Sequence, residues 1–301
     1  MYDIIIIGAG PAGLTSAIYA CRARKKVLVL EAKSYGGKII TTNNIENYPA
    51  TPHISGFDFA TNLYNQAKEL GAEIVFEKAI DIKDGEEKEV VTKNNSYKAK
   101  AIILATGSDN RKLGLPNEDE LLGKGISYCA TCDGSFYKDK TVGVVGGGNV
   151  ALQDAIYLAD IAKKVYIIHR RDEFRGEESS VELLKTKNNV EFIFNSNVTK
   201  LNANDKLESI DITNNDGQTT QIKVDGLFIA VGSIPENQNF SKLIKLDPAG
   251  YAIAEEDCLT EVPGIFVAGD NRVKQVRQLV TAAADGAVAA VAAIQYINQN
   301  K

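Results

Sequence analysis

Cys129 and Cys132 enclose only Ala130 and Thr131, and Asp133 follows directly. A CxxC pair has four chemical readings: a redox disulfide, half of a zinc site, a haem attachment point, or coincidence. Structural zinc needs a second pair of ligands. Cys21 and Cys258 are isolated, and His53 and His169 stand at no ligand spacing to either. Haem attachment needs a histidine after the second cysteine, and Asp133 occupies that place. A redox dithiol is then the reading that agrees with the nucleotide turns described next. Breaking a disulfide requires a proton for the departing thiolate, which a positioned carboxylic acid can supply. Asp133 is the nearest candidate, and its bland alternative is to cap a helix after the cysteine turn; the two roles are compatible.

Two glycine-rich turns carry a second kind of chemistry. Gly8-Ala9-Gly10-Pro11-Ala12-Gly13 follows the apolar run Ile4–Ile7, and Gly146-Gly147-Gly148-Asn149-Val150-Ala151 follows Val142–Val145. The first glycine permits a tight turn and the second lets backbone approach a pyrophosphate. The third position, Gly13 or Ala151, keeps the helix close to the sheet, while the helix N-terminus offers N–H groups to the anion. Glu31 lies 23 positions after Gly8, where a carboxylate can accept from an unsubstituted adenosine ribose. At the same offset from Gly146 stand His169, Arg170 and Arg171, with Arg175 four residues beyond Arg171. Cations there can grip a 2′-phosphate bidentately. The first site therefore suits FAD or NAD and the second NADPH, unless Arg170 and Arg171 are simply a solvated charge run.

These turns demand elements to hold them. Helical patterns run from Leu14 to about Arg24 and from Leu152 to about Ala162, and each unit closes on a second strand, Val27–Leu30 or Val165–Ile168. Further apolar strands stop at a glycine: Ala101–Leu104 before Ala105-Thr106-Gly107, Leu227–Val231 before Gly232, and Ile265–Val267 before Ala268-Gly269-Asp270. The expected fold is α/β, with two Rossmann-like domains and the second inserted into a discontinuous first. The FAD-binding domain is expected over 1–112 and 240–301, and the NADPH-binding domain over 116–236. Hinges are expected near 113–116 and 235–240, where Gly and Pro mark the crossings. Two thin crossings would permit relative rotation.

Composition narrows the alternatives. The 301 residues carry 34 Lys+Arg against 39 Asp+Glu, a net charge of −5, which leaves no electrostatic footprint for nucleic acid or an anionic membrane. Four cysteines do not make a secreted disulfide framework. The most apolar stretch, Leu279 to Ile294, is interrupted by Thr281, Asp285 and Gly286 and reads as a buried helix rather than a bilayer span. No basic, apolar leader opens the chain, so a cytoplasmic location is expected.

Taken in order, these motifs resemble bacterial-type, low-molecular-weight thioredoxin reductases over essentially the whole chain. Also matching are Gly36-Gly37 leading to Glu46-Asn47-Tyr48-Pro49, and Arg277-Gln278 after Gly269-Asp270. The resemblance implies FAD at Gly8, Gly10, Pro11, Ala12, Gly13, Glu31, Gly37, Lys38, Thr42, Asn47, Ala105, Thr106, Gly107, Asp270, Arg277 and Gln278. It implies NADPH at Gly146, Gly148, Asn149, Val150, Ala151, His169, Arg170, Arg171 and Arg175. It further implies Cys132 as the flavin-facing sulfur, Cys129 as the attacker of thioredoxin, Asp133 as acid/base, a homodimer, and rotation of the inserted domain. Lys38 stands where the family usually has Gln, Ala50 where it has Gly, and Leu152-Gln153-Asp154 where it is more acidic. Relatives that serve another redoxin or draw on ferredoxin would lack an intact nucleotide fingerprint, and a flavin-type ferredoxin–NADP reductase would lack the cysteines. A redox sensor without turnover would not need the complete electron path.

Overall fold

The computed structural model of the chain describes residues 1–42, 44–51 and 53–300. Asn43, Pro52 and Lys301, all inside the expected first domain, lie outside the described residues. From the N-terminus run β1 (Tyr2–Ile7), α1 (Pro11–Arg22), β2 (Val27–Leu30), α2 (Gly56–Glu69), β3 (Glu73–Val75), β4 (Ala79–Lys83), β5 (Lys88–Thr92) and β6 (Ser96–Leu104). A crossing strand β7 (Ser108–Asn110) leads to β8 (Ile126–Ser127), α3 (Ala130–Asp133), β9 (Thr141–Val145), α4 (Asn149–Ala159), β10 (Lys164–Ile168), α5 (Glu178–Lys185) and β11 (Val190–Ile193). There follow β12 (Ser196–Ala203), β13 (Leu207–Asn214), β14 (Thr219–Lys223), β15 (Gly226–Ile229), a second crossing strand β16 (Ser233–Pro235), β17 (Ile265–Val267) and α6 (Leu279–Gln299).

The chain forms two compact units, residues 1–109 with 234–301 and residues 110–233. In the first unit the strands are ordered β3-β2-β1-β6-β5-β4, and β17 also pairs with β6. The parallel core of that sheet is set by Ile4 opposite Val27 and Ala101, and by Phe266 opposite Ile103. β1 and β2 are apolar on both faces because helices or loops cover both, and Ile4 to Ile6 and Val27 to Leu30 have no more than 1% of their surface exposed. The second unit has an all-parallel sheet, β11-β10-β9-β15-β8, and a three-stranded antiparallel meander, β12-β13-β14.

The two nucleotide turns are built alike. Gly8 (φ 109°) and Gly146 (φ 155°) hold left-handed backbone, and a Cβ on either would collide with a carbonyl, that of Ala105 or of Ala230. Gly10 and Gly148 are the N-caps of α1 and α4, so both helices begin three residues before the expected Leu14 and Leu152. In α1 the cause is Pro11, whose fixed φ suits the first helical position and whose missing N–H is not needed there.

The chain passes between the units at 109–110 and 233–234, a few residues before the hinge segments expected at 113–116 and 235–240. Gly and Pro near 113–116 do not mark a free linker. The Glu118 carboxylate accepts the N–H groups of Leu113, Gly114 and Leu115 at 2.8–3.2 Å and fixes that segment to its own unit. The two crossing strands, β7 and β16, pair as a short ribbon. α6 is longer than the expected apolar stretch, and by length and composition could cross a membrane. It is a core helix of the first unit. Gly286 lies against the backbone of Ala12, and Asp285 is 5% exposed and ion-paired to Arg272 and Lys274 at 2.8 and 2.9 Å.

Candidate active site

In the first unit the turn after β1 is met by Glu31 and by the Gly36-Gly37 turn. Glu31, just past β2, accepts the Ala9 N–H at 2.8 Å on one oxygen and the Lys33 N–H at 2.8 Å on the other. Gly36 donates to the Ala9 carbonyl at 2.7 Å, which brings Gly37 against Gly10. Lys38 then reaches Ser108 Oγ at 3.3 Å. Desolvation lowers its ammonium below the ordinary lysine range, while Asp270 and Asp109 oppose that shift. Asn47 donates to Gln278 Oε1 at 3.1 Å, tying the loop before α2 to the start of α6, where Gln278 and Thr281 form a capping box. Arg277 stacks over Tyr251, with 4.1 Å from its guanidinium carbon to the ring centre. Thr42 is joined through its backbone to Ile39 and Gly56 rather than to this cluster. Ala50 holds φ 62°, the conformation that favours glycine.

Asp270 leaves the end of β17 with Oδ1 buried and without a hydrogen-bond partner. Burial raises its carboxyl above the ordinary range, and Lys38, Lys274 and Arg277 offset part of that rise. The loop that carries it is suspended from α6: Asp285 accepts the Gly269 N–H at 2.9 Å, Arg272 Nε at 2.8 Å and Lys274 Nζ at 2.9 Å. Ionic and backbone donors together hold the Asp285 carboxyl below the ordinary range despite its burial. Thr106 is placed by Asn271 Nδ2 at 3.0 Å and by its own bond to Asn237 at 3.2 Å.

In the second unit His169 is 5% exposed and stacks on Phe174, with ring centres 5.4 Å apart. It fills the space beside Gly147, where a Cβ would strike the imidazole. Burial first, then Arg175, Arg170 and Arg171, lower its pKa, although a backbone bond at Glu173 opposes them; the ring is neutral near pH 7. The three arginines are exposed and crowd one corner beside the turn. Arg175 is fixed there by its N–H to the Gly147 carbonyl at 2.7 Å, and Asn149 Oδ1 accepts the Glu177 N–H at 2.7 Å. Val150 and Ala151 sit in the first turn of α4, Val150 exposed and Ala151 fully buried.

Cys129 and Cys132 form a disulfide with Cα atoms 5.3 Å apart. Cys129 is the N-cap of α3, and both the Cys132 and the Asp133 N–H return to its carbonyl, at 3.3 and 3.1 Å. Asp133 does not cap a helix with its side chain, so the capping alternative is corrected. α3 begins before Asp133 rather than after it, which leaves the carboxylate free to accept the Ser127 hydroxyl at 2.7 Å. Ser127 Oγ in turn accepts the Cys129 N–H at 3.1 Å. Burial raises the Asp133 carboxyl above its ordinary range and Ser127 pulls it partly back, which favours a proton-bearing acid.

Among the described residues, no group of His, Cys, Asp and Glu could hold a metal ion. A dinucleotide fits both turns: Gly10 and Gly148 face open space where a Cβ would project, neither helix N-terminus has a side-chain cap, and buried Oδ1 of Asp270 and Nε2 of His169 lack partners. Sequence reading missed Ser127, Asn237, Asn271 and Asp285. Only Asp285 left a signal, as the charge that interrupts an apolar helix.

Two dinucleotide turns and a disulfide in one chain define a pyridine-nucleotide-linked disulfide oxidoreductase. The chain belongs to the pyridine nucleotide-disulphide oxidoreductase family, whose sequence profile matches residues 2–287. It is 43% identical to thioredoxin reductase of Peptoclostridium acidaminophilum, covering 100% of this chain and 98% of that one. The crystal structure of thioredoxin reductase from Streptococcus pyogenes MGAS5005 superposes with a TM-score of 0.93 at 39% identity, covering 99% of each chain. That of Lactococcus lactis thioredoxin reductase, in a state described as the FR conformation, gives 0.70 at 37% identity, covering 99% of this chain and all of that one. The protein is an oxidoreductase, and membership implies use of a flavin and a pyridine nucleotide.

Proposed function

We propose that this enzyme passes an electron pair from NADPH through FAD to the Cys129–Cys132 disulfide, and from the resulting dithiol to oxidised thioredoxin. One observation carries the reading most directly: a disulfide and a carboxyl, Asp133, that burial raises above its ordinary range share one turn in a chain with two dinucleotide-type glycine turns. The first unit would hold FAD, with its pyrophosphate at Gly8 to Gly13, its ribose at Glu31, and Asp270, Lys38 and Arg277 near its middle. The second would hold NADPH at Gly146 to Ala151, with Arg170, Arg171 and Arg175 on the 2′-phosphate. When bound, the flavin supplies conversion between hydride and thiol chemistry.

The protein groups do the rest. Reducing the disulfide takes two electrons and two protons; a hydride carries both electrons and one proton, and Asp133 delivers the other to the departing sulfur. Cys129 then attacks the disulfide of thioredoxin. The Cys129–Cys132 bond re-forms as thioredoxin leaves in its dithiol form. Rotation of the second unit about β7 and β16 would let the flavin meet nicotinamide and disulfide in turn. Two single-strand crossings between the units support this. A cytoplasmic setting is part of the proposal, because the product is a reduced thiol system.

The test is an anaerobic NADPH titration followed by turnover with oxidised thioredoxin. About two equivalents consumed with two thiols formed, then rapid oxidation by thioredoxin, support the path. About one equivalent with no thiols would sink the disulfide step. Asp133→Asn should slow dithiol formation about a hundredfold with flavin retained, as loss of a general acid does. A normal rate in stopped flow would remove its acid role.

A homodimer belongs to the same proposal. Tyr19, Val288, Val291 and Ala292 line an apolar hollow on the outside of α1 and α6 that a second copy would cover. Sedimentation at micromolar concentration is expected to give twice the 32.5 kDa chain mass. A boundary at the single-chain mass would refute it.

A further inference from the structure

β8 ends on a buried serine. Ile126 and Ser127 pair in parallel with Leu227 and Phe228 of β15, and Ser127 is 2% exposed. The sheet therefore fixes this serine two residues ahead of Cys129. A hydroxyl offers one proton and two lone pairs. Here the proton goes to Asp133 Oδ2 at 2.7 Å, and a lone pair takes the Cys129 N–H at 3.1 Å. The Cys129 carbonyl, at 3.3 Å, is the more distant of the two acceptors within reach of that proton. A single side chain thus holds both the carboxyl and one of the two cysteines.

The other charged and titratable groups around α3 are engaged elsewhere. Tyr128 donates to Glu118 at 2.6 Å, Lys140 donates to the Phe136 carbonyl at 2.8 Å, and Asp225 accepts the Thr141 N–H at 2.9 Å. Tyr137 is pushed up to about 12 by burial first, then by Asp133 and Asp225, and stays a neutral phenol. On α4 stand Asp154, whose carboxyl burial raises, and Tyr157, whose ring lies against Gly134. β9 and β15 carry no titratable side chain.

We propose that Ser127 is a positioning residue of the redox turn, binding Asp133 by Oδ2 and Cys129 by its backbone N–H, so that Oδ1 carries the proton meant for sulfur. The inference rests on the reading of Asp133 as the acid that protonates the departing sulfur. The proton passes from Oδ1 to the thiolate, and the serine keeps its own. The bond to Oδ2 tightens as this happens, because a donor to a full carboxylate is held more strongly than one to a neutral acid. An interaction that gains strength as the proton leaves lowers the cost of releasing it. Burial pulls the Asp133 carboxyl the other way, and the serine partly offsets it.

The test is a pH titration of the Asp133 carboxyl in the oxidised holoenzyme by infrared difference spectroscopy, its band assigned by absence in Asp133→Asn. Ser127→Ala should move the midpoint up by about one pH unit, the scale of one hydrogen bond to a charged group. Ser127→Thr keeps the hydroxyl on a residue suited to a strand and should bring the midpoint back. Loosening of the turn alone would not follow the hydroxyl in this way. A Ser127→Ala midpoint equal to the parent's overturns the proposal. Should that variant not fold, the acid form of the parent decides: a band shifted by a hydrogen bond supports the proposal, and one at the frequency of a free carboxyl overturns it. Dithiol formation in stopped flow should be about tenfold slower in Ser127→Ala, and an unaltered rate overturns the proposal equally. Asp133→Asn is run beside it, so a normal rate there would sink the acid reading itself, separately from what the titration says of Ser127.

Discussion

Replacing Cys132 with serine is expected to leave an enzyme that NADPH can reduce at its flavin but that cannot reduce thioredoxin. The reason is the order of the electron path. The resemblance assigns Cys132 to the flavin and Cys129 to thioredoxin, and in this chain the two close one disulfide over a four-residue helix. A serine oxygen cannot form that bond, so no two-electron store remains beyond the flavin. Thioredoxin-dependent turnover should fall by at least about a thousandfold, as when a covalent nucleophile is removed. NADPH uptake in an anaerobic titration should drop from about two equivalents to about one. The fold should survive, because Ser127, Asp133 and the backbone bonds to the Cys129 carbonyl do not depend on the missing sulfur. Disulfide turnover that persists in this variant would show that electrons leave by another route, and the assignment of both sulfurs would fall.

The second large effect concerns the donor. Arg170→Ala combined with Arg171→Ala should lower the preference for NADPH over NADH on the order of a hundredfold, as two charge-assisted hydrogen bonds at roughly 1.5 kcal/mol each would require. Both side chains are exposed, so the loss should shrink as salt rises. On the proposed assignment the change should sit in the KM for NADPH, with NADH nearly unaffected, because the arginines would contact only the group that distinguishes the two nucleotides. The neutral, buried His169 stays in place against Gly147 and Phe174, and the variant turn keeps its shape. A preference ratio unchanged in steady-state assays would make Arg170 and Arg171 a solvated charge run.

What could be read from the sequence was local. β1 and β9 announce themselves because each is a short apolar run ending at a glycine that no other residue could replace, and the repeat at Gly146 supports the reading at Gly8. The helix starts were misplaced because apolar periodicity begins at Leu14 and Leu152, whereas backbone geometry begins with the caps at Gly10 and Gly148. The positions of the crossings were shifted for a similar reason: Gly114 and Pro116 look like linker, but the restraint on them comes from Glu118. The polar partners were hidden more deeply. Asn271 meets Thr106 across 165 residues, and Ser127 is an ordinary serine until α3 folds Asp133 back onto it. Pattern reports which residues are apolar in which period, but not which buried carboxylates find donors.

The Asp285 cluster has a bearing on how the chain is made as well as on how it works. Leu279–Gln299 meets the length and composition of a membrane span although it packs as a core helix of its unit. One carboxylate within such a segment sets up to about 3 kcal/mol against its insertion. That same carboxylate, once the chain has folded, carries the loop that presents Asp270. A substitution such as Asp285→Leu would thus act twice, loosening the loop that carries Gly269, Asp270 and Arg272 and raising the hydropathy of an already apolar C-terminal helix.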